Sequence, residues 1–228
     1  MNEQKQPTSS KSKASARQRL LEIAVDVFGK HGFEAATTRM IAGEADVNIA
    51  AIPYYFNGKE GLYHAVVNYI VEKIEANTGT TFLEMSALAS DKNLTRKKAL
   101  SALEVLLEPI INFMVGSPEA PRISRIILRE QIDPSSAYDI IFSRIMTPFI
   151  DNIAEFLTAA SKNISTREAR LRAMAIMGQI LVFRVARETV VRSVGLKGYT
   201  QEETFEIRNI IIEHTRGIFK SLNDRKTN

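Results

Sequence analysis

The sequence predicts an all-α protein of about nine helices, with a small amino-terminal three-helix domain followed by a larger helical domain. Apolar residues recur at spacings of three and four along most of the chain, and no segment alternates convincingly as a strand. Residues 37–63, TTRMIAGEADVNIAAIPYYFNGKEGLY, predict two short helices joined by a tight turn and followed at once by a third helix. The chain has 228 residues, which is enough to bury the core of both domains.

The composition is that of a soluble protein without cysteine chemistry. Hydrophobic residues make up 45% of the chain, no apolar run approaches the length of a membrane span, and the polar first residues lack the apolar segment of a secretory signal. Cysteine is absent, which excludes disulfides, thiolate nucleophiles and cysteine-rich zinc sites. We therefore expect a cytoplasmic protein that has no membrane contact and needs neither a cofactor nor a metal.

The first helices begin and end at residues with clear signals. Between Leu20 and Phe28 the apolar residues form one face of an amphipathic helix, and Gly32 is placed as its left-handed stop. Thr37 can cap the second helix with its side-chain oxygen. The segment Ala45-Asp46-Val47 then breaks that helix, which predicts the tight turn.

The helix after this turn has two chemically different sides. Asn48 offers the cap at its start. Its apolar side, which we expect to be buried, is formed by Ile49, Ile52 and Phe56. Its other side carries Ala50, Ala51, Pro53 and Tyr54. Small residues flanked by aromatic and polar ones suit a helix that enters a major groove, where bulk would block access to the base edges.

Two interpretations of residues 37–63 are open. The segment is either a helix-turn-helix that binds DNA, or two short helices of an ordinary all-helical core. The flanks favour DNA binding, because an amphipathic helix precedes the motif and Lys59 opens a long helix, running to about Ala76, directly behind it. That arrangement is typical of a small DNA-binding domain attached to a lever helix.

From Leu20 to Leu62 the sequence resembles the amino-terminal domain of TetR-type transcriptional regulators. The matching positions are Phe28, Gly32-Phe33, Thr37-Thr38-Arg39, Ile41-Ala42, Val47, Tyr55-Phe56 and Lys59-Glu60. Downstream, residues 122–142 and 178–193 resemble the ligand-binding domain of the CecR-like branch of that family. The resemblance covers most of the chain.

Two residues depart from the family pattern. Asp46 stands where the family usually has the turn glycine, but aspartate tolerates the left-handed conformation reasonably well. Pro53 lies inside the recognition helix and removes a helical donor unless it lies within about the first turn. We expect this helix to be short or locally irregular.

The resemblance implies roles for the residues of the motif. Arg39 matches a position that can reach a guanine edge, and its forked guanidinium suits the O6 and N7 acceptors. The positions that match phosphate contacts are Thr37, Thr38, Tyr55 and Lys59. The candidate groove contacts are Asn48, Ala50, Ala51, Pro53 and Tyr54. The implied partners are a palindromic double-stranded DNA operator, a second copy of the chain and a small-molecule inducer of unknown identity.

The positive charge of the chain is concentrated at its start. Residues 1–20 carry five basic side chains and one acidic one, which accounts for the whole net charge of +4. A basic arm over residues 1–15 could lie along phosphates or enter the minor groove. The alternative is a solvated tail that contacts nothing, for which its Ser, Lys and Gln content argues.

The rest of the chain predicts further helices separated by Pro and Gly signals. We expect helices over 99–115, with a kink or division at Pro109, then over 122–131 and from Pro134 to about Ala160. Thr166 should cap a long helix to about Val194, and Thr200 a last one to about Leu222. The predicted domains are the arm at 1–15, a DNA-binding domain at 16–62, a ligand-binding and dimerisation domain at 63–223, and a tail at 224–228.

The last two predicted helices are apolar on more than one face. A surface helix needs only one apolar stripe, so a second stripe must meet something else. We predict a homodimer interface formed by Leu171, Ala175, Gly178, Val182, Ile211, Ile218 and Leu222. The alternative is a pair of central helices buried within a monomer.

Charged residues inside apolar stretches predict a ligand site. The candidate pocket residues are Phe113, Met114, Arg125, Arg129, Met146, Phe149, Met177, Phe183 and Arg184. Buried charges are costly unless paired, so the alternative is structural ion pairs, Arg129 with Glu188 or Arg184 with Glu130. Met and Phe at helical spacing are also common in plain cores.

Catalytic motifs are missing from the sequence. The three histidines lie far apart, and there is no glycine-rich phosphate loop and no G-x-S-x-G elbow. We therefore predict a ligand-responsive DNA-binding regulator that is not an enzyme. The alternative is an all-helical enzyme or small-molecule carrier without DNA binding.

Overall fold

The computed structural model describes residues 8–161 and 163–224, and these residues contain helices and no strand. The helices are α1 (Thr8–Ala35), α2 (Thr38–Glu44), α3 (Ala51–Phe56), α4 (Lys59–Ala89), α5 (Arg96–Ile111), α6 (Ala120–Ile132), α7 (Tyr138–Ile141), α8 (Thr147–Ala160), α9 (Thr166–Val185), α10 (Arg187–Val194) and α11 (Gln201–Asp224). Two π-helical segments, Asn112–Gly116 and Phe142–Met146, follow α5 and α7 directly. The predicted all-α class is confirmed.

The chain divides into two compact units. The amino-terminal unit runs up to Lys73 and includes Arg122–Ile141, so that most of α6 and all of α7 belong with α1 to α3 and the first part of α4. The carboxy-terminal unit comprises Ile74–Pro121 and the chain from Phe142 onward. The sequence did not predict that residues 122–141 would join the amino-terminal unit.

Helix α1 begins within the segment that was predicted to be a flexible arm. The backbone of residues 8–15 is helical, whereas a flexible arm was predicted over 1–15; residues 1–7 and the tail from 225 lie outside the described residues. Gly32 has the predicted positive φ of 78° and interrupts the helical dihedrals of α1, which then ends at Ala35. Glycine adopts this conformation without the strain that a Cβ would introduce.

The predicted helix starts are partly confirmed. Thr200 forms a reciprocal cap with Glu203, whose carboxylate accepts from the Thr200 amide at 2.7 Å, while the Thr200 hydroxyl oxygen accepts from the Glu203 amide at 3.5 Å. The cap predicted at Thr166 is wrong by one residue. Ser165 takes that position, with its hydroxyl oxygen 3.1 Å from the amide nitrogen of Glu168.

Three helices differ from the predicted pattern. The lever helix α4 extends to Ala89, and only Gly79, at φ 58°, departs from helical dihedrals within it. The single helix predicted to run to about Val194 is divided at Ala186, whose φ of −99° and ψ of 27° are not helical. Pro109 does not divide α5. The helix continues through Pro109 to Ile111, and the backbone changes to π-helical spacing at Asn112.

The core of the carboxy-terminal unit is built on α5, α8, α9 and α11. By length and composition alone the stretch Arg96–Gly116 could cross a membrane, with a mean hydropathy of 1.5. Its side chains Leu103, Leu107 and Ile111 are fully buried in this core, which is how the central helix of a globular unit behaves.

Candidate nucleic-acid interface

Helix α2 is fixed at its start by a side-chain cap. The Oγ1 atom of Thr37 accepts a hydrogen bond from the amide of Met40 at 3.2 Å, as predicted. Ile41 and Ala42 are buried, which holds α2 against its own unit and leaves its opposite side to solvent. Since a hydroxyl also donates one hydrogen bond, Thr37 keeps its proton for another acceptor.

The turn between α2 and α3 uses the two polar residues that the sequence singled out. Asp46 adopts the left-handed conformation at φ 50°, so the turn forms without the glycine that the family usually has there. The cap predicted at Asn48 is wrong, because Ala50 takes the cap position of α3 and no side chain caps that helix. The Oδ1 atom of Asn48 instead accepts from the amide of Ala50 at 2.9 Å, within the turn. Its amide NH₂ group has its two donors left for other acceptors.

Pro53 fits α3 because of where it lies. It is the third residue of a helix that spans only Ala51–Phe56, so its missing amide proton falls in the first turn, where amides have no helical acceptor. The predicted short helix is confirmed. Ile52 and Phe56 are buried as expected, but Ile49 is 46% exposed, because it lies in the turn before α3 rather than on its buried face.

All the predicted DNA contacts are accessible to solvent. The exposed ones are Thr37, Arg39, Asn48, Ala50, Pro53 and Tyr54, and the partly exposed ones are Thr38, Ala51, Tyr55 and Lys59. Tyr54 is 70% exposed, and its ring packs edge-on against that of Tyr55, with 4.8 Å between ring centroids. The side chain of Arg39 has no hydrogen bond or ion pair within the described part of the chain. It is therefore available to an external partner.

Lys59 has a structural contact that the sequence did not predict. Its Nζ atom donates to the carbonyl oxygen of Glu34 at 3.1 Å and lies 4.6 Å from the centroid of the Phe33 ring. Lys59 therefore ties the start of α4 to the end of α1. If Lys59 also contacts a phosphate, the same side chain serves both that contact and the one with Glu34.

Arg17 is a further cation beside the motif. Its guanidinium carbon lies 5.3 Å from the centroid of the Phe56 ring, on the last residue of α3, and the residue is exposed. The sequence predicted no contact for Arg17 beyond its contribution to the net charge. The signal was its position three residues before Leu20, which places it on α1 and not in a free tail.

Comparison with known proteins agrees with this geometry. The model of the TetR family of bacterial regulatory proteins matches residues 20–66. Residues 99–222, more than half of the chain, match the C-terminal domain of the HTH-type transcriptional dual regulator CecR. The chain belongs to the TetR family. It is a DNA-binding transcriptional regulator with a CecR-type carboxy-terminal domain.

Relatives of this TetR-family protein cover nearly its whole length. CecR of Shigella flexneri is 30% identical over 216 residues, which is 92% of this chain and 94% of that protein. Among solved structures, AibR in complex with isovaleryl coenzyme A and operator DNA is 16% identical with a TM-score of 0.61, over 86% of this chain and 96% of that one. A TetR-family regulator of Mesorhizobium loti is 14% identical with a TM-score of 0.55, over 92% and 97%. At these identities the two structures show the fold alone.

The predicted ligand residues of this TetR-family chain do not form one site. Phe113 and Phe149 are buried in the core, where Phe149 stacks on Phe82 with 6.2 Å between ring centroids. Met146 is partly buried, and Met114, Met177 and Phe183 are partly buried against the same core. Arg125 and Arg129 instead lie on α6 in the amino-terminal unit, where they line an open groove of about 550 Å³.

The predicted ion pairs are wrong, because the arginines bind backbone carbonyls. Arg129 donates from Nε to the Gly29 oxygen at 3.2 Å and from Nη2 to the Lys30 oxygen at 3.0 Å. Arg184 donates to the carbonyl oxygens of Met114 at 2.7 Å and Val115 at 3.2 Å. Burial, with the neighbouring Arg187 charge, lowers the pKa of Arg184.

The acids of those predicted pairs have other partners. Glu130, which is 2% exposed, accepts from the Tyr63 hydroxyl at 2.6 Å and from the Ser135 amide at 3.0 Å. Burial, and then the hydrogen bond from Tyr63 to Glu130, raise the pKa of the Tyr63 hydroxyl. Glu188 pairs with Arg192 one turn along α10, at 2.6 Å.

The predicted dimer residues divide into two groups. Leu171, Ala175, Gly178 and Val182 share an exposed face of α9, on which Leu171 is 54% and Val182 is 45% exposed. Ile211 and Leu222 are buried in the core of their own chain, and Ile218 is partly buried against it. The assignment of Ile211 and Leu222 to an interface is wrong.

Proposed function

We propose that this protein is a cytoplasmic, homodimeric repressor that binds a palindromic operator and is released from it by a small-molecule inducer. The observation that carries the proposal is the exposed set of polar side chains on α2 and α3, opposite the buried residues that fix both helices. In each subunit α3 would enter one major groove. The two recognition helices must then lie about 34 to 36 Å apart to meet successive grooves.

Arg39 is the residue that we expect to read a base. It is exposed and has no partner within the described residues, and its guanidinium fork matches the O6 and N7 acceptors of guanine. Arg39→Ala should cost about 1 to 3 kcal/mol per half-site and relax the preference at one base pair. Selection of bound duplexes from genomic DNA, followed by competition between single-base variants, measures both effects.

Arg17→Ala provides the matched control for that experiment. Arg17 lies on α1 beside Phe56 and outside the two helices of the motif, so we expect it to contact a phosphate and not a base edge. It should weaken all duplexes alike and lower the salt dependence of binding by about one phosphate contact. If Arg39→Ala also weakens every duplex equally, Arg39 is a phosphate contact and the base-reading proposal fails.

The exposed apolar face of α9 supports the homodimer. It also carries Met174, 51% exposed, and Val185, 59% exposed, in line with the four residues predicted there. A second α9 packed on this face would bury it and bring two DNA-binding units together, as a two-fold operator requires. Light scattering at micromolar concentration tests this assembly.

The fold supports regulation by a ligand. AibR, which shares it, was solved with both isovaleryl coenzyme A and operator DNA bound. A ligand releases DNA only if it binds the DNA-incompetent arrangement more tightly, so ligand and operator must weaken each other's binding by the same factor. The Shigella relative is named a dual regulator, so a promoter fusion with and without the protein decides the sign of regulation here.

A further inference from the structure

The carboxy-terminal unit contains a cavity of about 620 Å³ to which the DNA-binding function assigns no role. It lies between the end of α5, the π-helical segment Asn112–Gly116 and the start of α11. The lining residues that matter chemically are Glu108, Asn112, Gly116, Tyr199, Phe205 and Arg208. Sites for small organic molecules have volumes of about 300 to 1,000 Å³.

Arg208 is incompletely hydrogen-bonded at the wall of this cavity. Its Nη2 atom lies 3.1 Å from Oε1 of Glu108, on α5. Its Nε atom is buried and has no acceptor, which makes it the one such side-chain atom among the described residues. The Nε and Nη2 protons point the same way in a guanidinium, so an acceptor beside Glu108 would complete the fork once the Arg208 side chain turns its Nε edge toward the cavity.

The two aromatic walls are held in place by contacts of their own. The Tyr199 hydroxyl donates to the Phe183 carbonyl oxygen at 2.9 Å, and burial raises the pKa of this tyrosine, so the hydroxyl stays protonated. Phe205 is 59% exposed, and its ring centroid lies 5.8 Å from the guanidinium carbon of Arg208. An exposed aromatic ring beside an incompletely bonded arginine offers a surface for a flat apolar ring.

Glu108 disfavours an anionic group at the Arg208 side of the cavity. Glu108 already neutralises the charge of Arg208. A ligand carboxylate at Nε would therefore lie next to the Glu108 carboxylate, and the two negative charges would share one arginine. A neutral carbonyl oxygen satisfies Nε without that repulsion, and an adjacent N–H could donate to Glu108. Donor and acceptor next to each other are the edge of a lactam or a primary amide.

We propose that this cavity binds a neutral, planar aromatic lactam or amide, with its carbonyl oxygen on Arg208, its N–H on Glu108 and its ring on Phe205. Gly116 allows Thr204 of α11 to lie close to the π-helical segment at the cavity, since a Cβ at this position would lie 3.1 Å from Oγ1 of Thr204. This inference deepens the proposed ligand response and rests on it for its regulatory meaning. The binding itself does not require that function.

The test measures binding of 2-quinolone, a bicyclic aromatic lactam, to the full-length protein without DNA, by calorimetry or ligand-observed NMR. Arg208→Lys keeps the positive charge but loses Nε, so the affinity should fall about tenfold or more. Arg216→Lys is the matched control, because Arg216 pairs with Glu104 between the same two helices at 2.7 Å and does not line the cavity. That variant should bind 2-quinolone as the native protein does.

Two further comparisons keep the result unambiguous. Quinoline, which lacks the carbonyl and the N–H, should bind about tenfold more weakly than 2-quinolone, and so should the anion 2-naphthoate. Phe205→Ala should also weaken the binding of 2-quinolone, whereas Ile210→Ala should not, because Ile210 is an exposed apolar residue of the same helix that does not line the cavity. Thermal unfolding of each variant shows whether it folds.

The proposal is overturned by any of three results: no binding of 2-quinolone to the native protein, equal binding by the Arg208→Lys and Arg216→Lys variants, or tighter binding of 2-naphthoate than of 2-quinolone. Operator binding is measured separately on the same samples, with duplexes recovered by selection. Absence of operator binding would overturn the proposed function while leaving the result for the cavity intact. If 2-quinolone binds without changing operator affinity, the binding site is supported but its role in regulation is not.

Discussion

Replacement of Arg129 by methionine should destabilise the end of α1 without changing any response to ligand. The guanidinium of Arg129 holds two carbonyl oxygens of that helix, those of Gly29 and Lys30, at 3.2 and 3.0 Å. They lie just before Gly32, where the helical dihedrals of α1 are interrupted. Methionine keeps most of the aliphatic stem but leaves both carbonyls without this donor.

The size of the effect follows from the two hydrogen bonds and their exposure. A hydrogen bond from a charged group contributes about 1.5 to 3 kcal/mol when buried, but Arg129 is exposed and water replaces part of what is lost. We expect a loss of about 1 to 2 kcal/mol in the free energy of unfolding. For a chain of this length that corresponds to a fall in Tm of roughly 2 to 8 °C.

Thermal unfolding followed by circular dichroism measures this change, and amide exchange locates it. The amide of Ala36, which donates to the Gly32 oxygen at 3.2 Å, should exchange faster in the variant. Arg125→Met is the control, since Arg125 lies one turn earlier on α6, is exposed, and has no hydrogen bond within the described residues. Equal Tm values for both variants, or an unchanged Tm with a lost ligand response, would refute the assignment.

Three further predictions concern other parts of the chain. Gly178→Leu should give folded monomers that no longer bind operator, since a Cβ at Gly178 meets nothing within 4 Å in its own chain; a dimer by light scattering would place the interface elsewhere. Lys59→Ala should lower the Tm as well as reduce the slope of operator affinity against salt by about one contact, and a changed slope at constant Tm would show that its contact with Glu34 is dispensable. The raised pKa of Tyr63 means that stability is full below its ordinary pKa of 10.0 and falls as pH rises above it, because the unfolded chain loses the proton first. Between about pH 9 and pH 11 the free energy of unfolding should therefore fall less in the Tyr63→Phe variant than in the native protein. Parallel curves of the free energy of unfolding against pH for the two proteins would contradict this.

Local signals predicted the DNA-binding motif well because its geometry is local. The cap at Thr37 and the left-handed turn at Asp46 each depend on a few neighbouring residues, and both are present. The break at Ala186 had no such signal, since alanine favours helix, and the sequence therefore predicted one helix across it.

The partners of Arg129, Arg184 and Lys59 could not be predicted from the sequence. Charged residues suggest charged partners, so Arg129 and Arg184 were matched with acids. Both bind carbonyl oxygens instead, and so does Lys59. Every residue carries a carbonyl, so only the fold shows which ones lie at a helix end and are free to accept.

None of the predicted ligand residues lines the cavity beside Arg208. The prediction selected Met and Phe at helical spacing, and that pattern marks side chains such as Phe149 that fill the core. A binding cavity needs polar groups that the surrounding protein leaves incompletely bonded. Arg208 is such a group, because Glu108, far away in sequence on α5, pairs with its Nη2 atom while its Nε atom has no acceptor. The proposed DNA contacts lie within one short stretch of sequence, whereas the cavity requires α5 and α11 to meet. A site formed by two helices that are far apart in sequence can be recognised only when the fold is known.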